Sequence, residues 1–318
     1  ASVSVEEYKR PKFKVELDPP LKAAKLKEKV ELEGQAVAYS GASINDATVS
    51  WRVVRNVRYP VWWFSRCWWM PPQQGGSQEI AHGTTSTNAE GRFQLEFEAT
   101  PDVQVPSESE PTFSFMIYVD VTDATGETRS SSRSVNVGYT ALSATVTAPG
   151  WLTAGDAFPL TVRTSTLNGD PESAEGIVEI FEVTQPKSVT RASMGSQYYV
   201  RPKAKPESDP SNPNSWPLGK RVQSDEFETD GGGLCEIKVD LPAGLYRVSV
   251  KSQDRFGNPV SAETALQVID PESNRLNIKV PDLYLAPRDQ VAPGGEYEAI
   301  WGTGYDTGRA FIEVIHDG

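Results

Sequence analysis

The chain has 318 residues, 38% of them hydrophobic and 23% charged, which is the balance of an ordinary globular protein. That length exceeds one β-sandwich of common size and predicts two or three domains. Its net charge of −12 repels a phosphate backbone and argues against nucleic acid as a partner, and no apolar run approaches the roughly 20 residues of a membrane helix. The chain opens without a signal-peptide pattern, on the strand-like Ala1-Ser2-Val3-Ser4-Val5, and closes on Ile315-His316-Asp317-Gly318 just after another such run. Both ends read as cut from something longer.

In chain order, Lys22 to Lys29 follows Pro19-Pro20 and leads into Val30-Glu31-Leu32, so it reads as a loop entering a strand. Arg58 to Gly76 then breaks the alternation. It holds four of the eight tryptophans, Trp62, Trp63, Trp68 and Trp69, between prolines. Paired indoles so placed form either a binding platform or a flap folded over a sandwich edge or a neighbouring domain. Arg58 and Arg66 can stack on the rings in either case.

Next comes Thr87-Asn88-Ala89-Glu90-Gly91, a turn, followed by the alternating strand Arg92-Phe93-Gln94-Leu95-Glu96-Phe97. Asn tolerates left-handed backbone, Gly supplies it freely, and the period of two puts Phe93, Leu95 and Phe97 on one face. Ile117 to Val121 leads to Asp123-Ala124-Thr125-Gly126 and a strand ending at Val137. The same order returns at Thr229-Asp230-Gly231-Gly232-Gly233 with Leu234 to Val239, then at Tyr246 to Val250, Asp254-Arg255-Phe256-Gly257 and a strand ending at Val268. Strand openings at Lys27 to Leu32, Ala154 to Leu160 and Ala292 to Ile300 make the repeat threefold at its start, with Ala310 to Val314 read as the next strand of the third copy.

Helical periodicity is nearly absent, so the fold class is all-β: tandem antiparallel sandwiches of the immunoglobulin or fibronectin kind. The boundaries follow the repeat. Residues 1–11 end a preceding domain or linker, 12–139 and 140–270 are sandwiches, and 271–318 begin a third. Thr184 to Gln223, rich in Pro, Ser, Asn and Lys, interrupts the second sandwich as a long insertion that is either plain decoration or a functional, protease-accessible flap. Its Trp216 joins the candidate interaction surface with Trp62, Trp63, Trp68 and Trp69.

No catalytic group emerges. His82, read as preceding a strand near Gly83, and His316 have no ligand-spaced partner, and no serine lies in a nucleophile-elbow pattern. Asp120 with Asp123, and Glu226, Glu228 with Asp230, make no dense calcium loop and read as solvated turns; Gly231-Gly232-Gly233 is a hairpin turn and not a phosphate cradle. No catalytic, metal or cofactor residue is assigned. Cys67 and Cys235 fall in different domains and read as free, partly buried thiols.

Val5-Glu6-Glu7-Tyr8-Lys9-Arg10-Pro11-Lys12-Phe13-Lys14-Val15 resembles the domain junction of α2-macroglobulin-like proteins, with Glu7, Tyr8, Pro11 and Phe13 as its motif. Pro11 stops one strand, and Phe13 and Val15 begin the next core face. Gly34 to Gly41, Ala47 to Val53 and the tryptophan-rich stretch resemble the following strands of bacterial members, and Tyr284 to Val314 resembles the start of the domain that carries the bait region. The resemblance implies macroglobulin-like domains of a large secreted, periplasmic or cell-envelope inhibitor whose partners are target proteases and neighbouring macroglobulin domains. It implies no enzymatic activity. The family's Cys-x-Glu-Gln thioester motif follows neither cysteine, and the bait segment would lie beyond Gly318. The alternative is an adhesion or carbohydrate-binding array that uses the tryptophan-rich loop; a hydrolase accessory region lacks the acid, base and nucleophile it would need.

Overall fold

The computed structural model describes residues 12–20, 26–60, 77–192, 209–286, 288 and 290–313. The chain divides into two compact units, the first within Ala1–Pro60 and Pro71–Ala141 and the second from Leu142 onward. The architecture is nearly all-β, with no α-helix among the described residues.

The described residues of the first unit form seven strands: β1 (Phe13–Leu17), β2 (Lys29–Ala38), β3 (Thr48–Arg58), β4 (Gln78–Ser86), β5 (Arg92–Glu98), β6 (Thr112–Thr122) and β7 (Thr128–Gly138). They form two antiparallel sheets, ordered β1-β2-β5 and β4-β3-β6-β7. Period-two alternation turns Phe93, Leu95 and Phe97 inward against Phe113, Phe115, Ile117, Val49 and Val53, and the core is closed by Phe13 and Leu32.

The second unit repeats this plan with β8 (Leu142–Thr147), β10 (Phe158–Thr166) and β13 (Leu234–Val239) in one sheet, ordered β13-β10-β8. The other sheet is ordered β12-β11-β14-β15-β9, from β9 (Leu152–Thr153), β11 (Glu175–Val183), β12 (Leu218–Glu228), β14 (Gly244–Gln253) and β15 (Pro259–Ile269). The short β9 pairs with β15 in parallel, an addition the antiparallel expectation did not contain. Leaving it aside, the strands match one to one in chain order, and a second core forms around Leu160, Val162, Val178, Ile180, Val248, Val250 and Leu266.

The repeat extends to single hydrogen bonds. Asn88, Asp123, Asp230 and Asp254 each open a turn closed by a glycine three residues on, at φ of 73°, 83°, 70° and 82°. In every one the side-chain Oδ1 accepts from the N–H groups two and four residues ahead, at 2.8–3.1 Å. The glycine N–H donates back to the Asx carbonyl at 2.9–3.0 Å. Local side-chain chemistry therefore sets two hairpins, β6–β7 and β14–β15, and two crossings between sheets, β4 to β5 and β12 to β13. The Gly231-Gly232-Gly233 turn, expected to be a hairpin, instead carries the chain from one sheet to the other.

Three expectations need correction. The long insertion ends at Pro217, because Leu218 to Gln223 pair with Val183 to Ile180 through a register shift and belong to β12. His82 lies inside β4, opposite Arg52, and does not precede the strand. Ala310 to Glu313 form no strand: Phe311 and Ile312 are 90% and 85% exposed, and no described segment pairs with them. Alternation makes a strand only where a partner ladder satisfies the backbone. After β15 the described residues form one further strand pair, β16 (Leu283–Leu285) with β17 (Ile300–Gly302).

Candidate functional site at the exit ends of the sandwiches

The two irregular stretches of sequence occupy one and the same place in the repeat. The tryptophan-rich stretch joins β3 to β4, and the Pro/Ser/Asn-rich stretch joins β11 to β12, its counterpart. Arg58 at the end of β3 lies opposite Thr112, which lies opposite Gly138 at the end of β7. Glu182 near the end of β11 lies opposite Tyr246, one strand from Leu266 of β15. Each long connection thus emerges from the end of its sandwich at which the last strand finishes and the chain moves on. A two-residue turn would close either hairpin, so both connections are far longer than the strand pairing requires.

In the first unit, Trp62, Trp63, Trp68 and Trp69 lie outside the described residues, as do Glu7, Tyr8, Pro11 and Cys67. The mouth of the connection is described. Arg55 is 6% exposed, and its guanidinium donates to the Thr100 carbonyl at 3.0 Å, to Gln78 Oε1 at 2.7 Å and to Asp102 Oδ2 at 3.1 Å. A buried arginine is tolerable only with such partners. Beside it, burial and then the charge of Asp102 hold the Tyr59 phenol above its ordinary pKa. At the entry of the same unit Phe13 is fully buried, and Glu127 accepts the Lys12 N–H at 3.0 Å.

In the second unit the connection is described over residues 184–192 and 209–217, and the latter part forms a folded cap. Asn212 starts a short 3-10 turn (Pro213–Ser215), accepting from Asn214 N, with proline at the first position. Trp216 follows and is turned inward: it is 3% exposed, and its indole N–H donates to the Pro210 carbonyl at 3.0 Å. An indole so enclosed offers no face to a partner, which removes Trp216 from the interaction surface that sequence suggested. It packs instead with Val183 and Ile278 in a third small core, bordered by Leu245, Leu276 and Val280. Ile278 lies beyond β15, so this core joins the connection to the segment that leaves the sandwich. Sequence alone gave no signal for it beyond a lone apolar residue in polar surroundings.

Next to this core on the same face, Glu179 is 8% exposed and receives Arg221 at 2.5 Å and Lys251 at 2.8 Å. Hydrogen bonds from Lys251 first and Arg221 second hold its carboxyl below the usual carboxylate range. A shallow groove of about 1020 Å³ at the far end of β11 and β12 is lined by Glu175, Ile177, Glu226, Glu228 and Lys251. Asp123, Asp230 and Asp254 direct their carboxylates into their own turns, and no group of three metal-ligating side chains occurs among the described residues. Cys235 is a free, half-buried thiol, and His82 contacts Glu79 at 3.1 Å on the surface. No helix among the described residues is long and apolar enough to cross a membrane.

The fold and these ends define a class: tandem antiparallel β-sandwiches, each with a long connection inserted at the same place in its strand order. No family model and no curated protein matches the sequence. Among solved structures, the chain is similar to the native conformation of E. coli alpha-2-macroglobulin, at TM-score 0.42 and 11% identity over 91% of this chain and 18% of that one. It is similar to Salmonella alpha-2-macroglobulin reacted with methylamine at TM-score 0.41 and 9% identity, over 91% of this chain and 18% of that one. It is similar to E. coli alpha-2-macroglobulin activated by porcine elastase at TM-score 0.40 and 10% identity, over 88% of this chain and 23% of that one. The chain thus spans roughly a fifth of the length of these proteins.

Proposed function

We propose that this chain is a scaffold segment of a large alpha-2-macroglobulin-like endopeptidase inhibitor. The carrying observation is that one sandwich plan is repeated strand for strand, with a long connection at the same place in both copies. The junction sequence around Pro11 and Phe13 supports the same reading. In it, residues 12–139 and 140–270 are macroglobulin-like domains and 271–318 enters a third. The segment itself is not an enzyme. It positions its neighbours while the trapping of a target protease is carried out elsewhere in a secreted, periplasmic or cell-envelope protein.

The test uses the whole protein that contains this chain, mixed with a broad-specificity endopeptidase. A trap leaves the protease active on a small chromogenic peptide and inactive on a large protein substrate. Undiminished activity on both would overturn the proposal. Saturable quenching of tryptophan fluorescence by an oligosaccharide, abolished by Trp62→Ala, would instead establish the adhesion reading.

A further inference from the structure

The segment that follows β15 has the composition of a linker, with Asp270-Pro271-Glu272-Ser273-Asn274-Arg275, yet its next turn is held from two sides. On one side stands the β11–β12 connection. Gln185, two residues past β11, donates its Nε2 to the Asn277 carbonyl at 3.0 Å and accepts the Lys279 N–H on its Oε1 at 2.8 Å. One side-chain amide thus satisfies a carbonyl and an N–H two residues apart, which is the pairing a neighbouring strand would make. Between these two bonds Ile278 is buried against Trp216 and Val183. Trp216 is in turn fixed by the Pro210 carbonyl, and Arg247 of β14 donates to the Asn214 carbonyl at 2.8 Å, tying the cap to the sheet beneath.

On the other side stands the end of β17. Gly304 donates its N–H to the Val280 carbonyl at 2.9 Å, and the Thr303 hydroxyl donates to the Pro281 carbonyl at 2.6 Å. The approach is close enough that a Cβ on Gly304 would stand 2.3 Å from the Ile278 carbonyl oxygen, so only glycine fits there. Residues 276–281 are therefore a middle layer between the cap and β17.

We infer that the β11–β12 connection is a clamp that converts the segment after β15 from a linker into a rigid strut, and so sets where β16 and β17 stand on the second sandwich. The clamp acts through Gln185 and Trp216, and it is separable from the sandwich core, which Leu160, Ile180 and Val248 close without it. This inference does not rest on the proposed function, since a clamped strut would serve an adhesion array equally.

The test is amide hydrogen exchange on the full chain, read residue by residue. In Gln185→Ala, exchange at Lys279 and Gly304 should accelerate by about tenfold or more, as a local opening, while Val248 and Val250 keep their protection. Gln185→Glu, which retains the acceptor and loses the donor, should give a smaller acceleration. Trp216→Ala, which removes the buried indole, should accelerate both amides at least as much as Gln185→Ala. Unchanged exchange at Lys279 and Gly304 in both alanine variants would overturn the clamp. Equal acceleration of Val248 and Val250 would overturn it too, because the connection would then be part of the sandwich fold itself.

Discussion

The two units differ least where they face inward and most on the outer face of the larger sheet. Inside, both bury a period-two apolar set between a three-stranded sheet and a larger one, with the same turns in the same order. Outside, the larger sheet of the first unit carries polar and amphipathic groups: Arg52 lies 4.7 Å over the Tyr118 ring, and Ser130 bonds Asp120 at 2.5 Å. The second unit carries the Glu179 ion cluster on the outer face of its larger sheet, and the Trp216 cap beyond it at the end of β11. A sandwich core tolerates little change of volume or register, whereas the outer face of a sheet is free to acquire new partners. Repetition therefore preserves the frame and concentrates novelty in the connections.

The largest effect expected from breaking this likeness is at the first glycine of each pair of turns. A Cβ on Gly233 would meet the Thr164 carbonyl oxygen at 2.1 Å, and one on Gly91 the Ala36 carbonyl oxygen at 2.5 Å, both at positive φ. Gly91→Ala and Gly233→Ala should each cost above about 4 kcal/mol in chemical denaturation. The second glycines, Gly126 and Gly257, share the positive φ but face open space. Their alanine variants should cost only the backbone strain, about 1–2 kcal/mol.

A smaller difference separates the paired threonines. Thr87 Oγ1 accepts the Ala47 N–H at 2.9 Å, and Thr229 Oγ1 accepts the Ala174 N–H at 2.8 Å, both threonines being buried. Thr229 also bonds the Thr164 hydroxyl at 2.6 Å, a link the first unit lacks because Ala36 stands at that position. Thr87→Val should cost about 1–2 kcal/mol through one orphaned N–H, and Thr229→Val closer to about 3 kcal/mol, measured by urea denaturation. Equal costs would show that the Thr164 link adds nothing.

The smallest effect is with pH. The lowered pKa of Glu179 means that its stabilising contribution is complete above the ordinary glutamate value and fades as pH falls through the depressed one. Thermal scans should show the second unit losing stability below about pH 4.3, with a shallower loss in Glu179→Gln. Glu127, held low first by the Lys12 N–H and then by Arg129, gives the first unit the same sign.

What the sequence revealed follows the range of the interactions involved. Asn88, Asp123, Asp230 and Asp254 bond within five residues, so their turns are written in short motifs that repeat visibly. Thr87 and Thr229 are visible as repeated residues, but their role is not, because Ala47 and Ala174 lie across the sheet. The joining of Trp216 to Ile278 was illegible, since Trp216 is a single apolar residue in a polar stretch, Ile278 sits in the distant alternation Leu276 to Val280, and only the tertiary fold brings them together. Ala310 to Glu313 shows the opposite failure, a clear alternation with no ladder to receive it.

The central claim is that one self-contained sandwich has been built twice, and calorimetry of the halves tests it most directly. Residues 1–141 and 142–318, produced separately, should each unfold cooperatively at the temperature of one of two transitions in the whole chain. A single transition in the whole chain, with neither half folding alone, would contradict it.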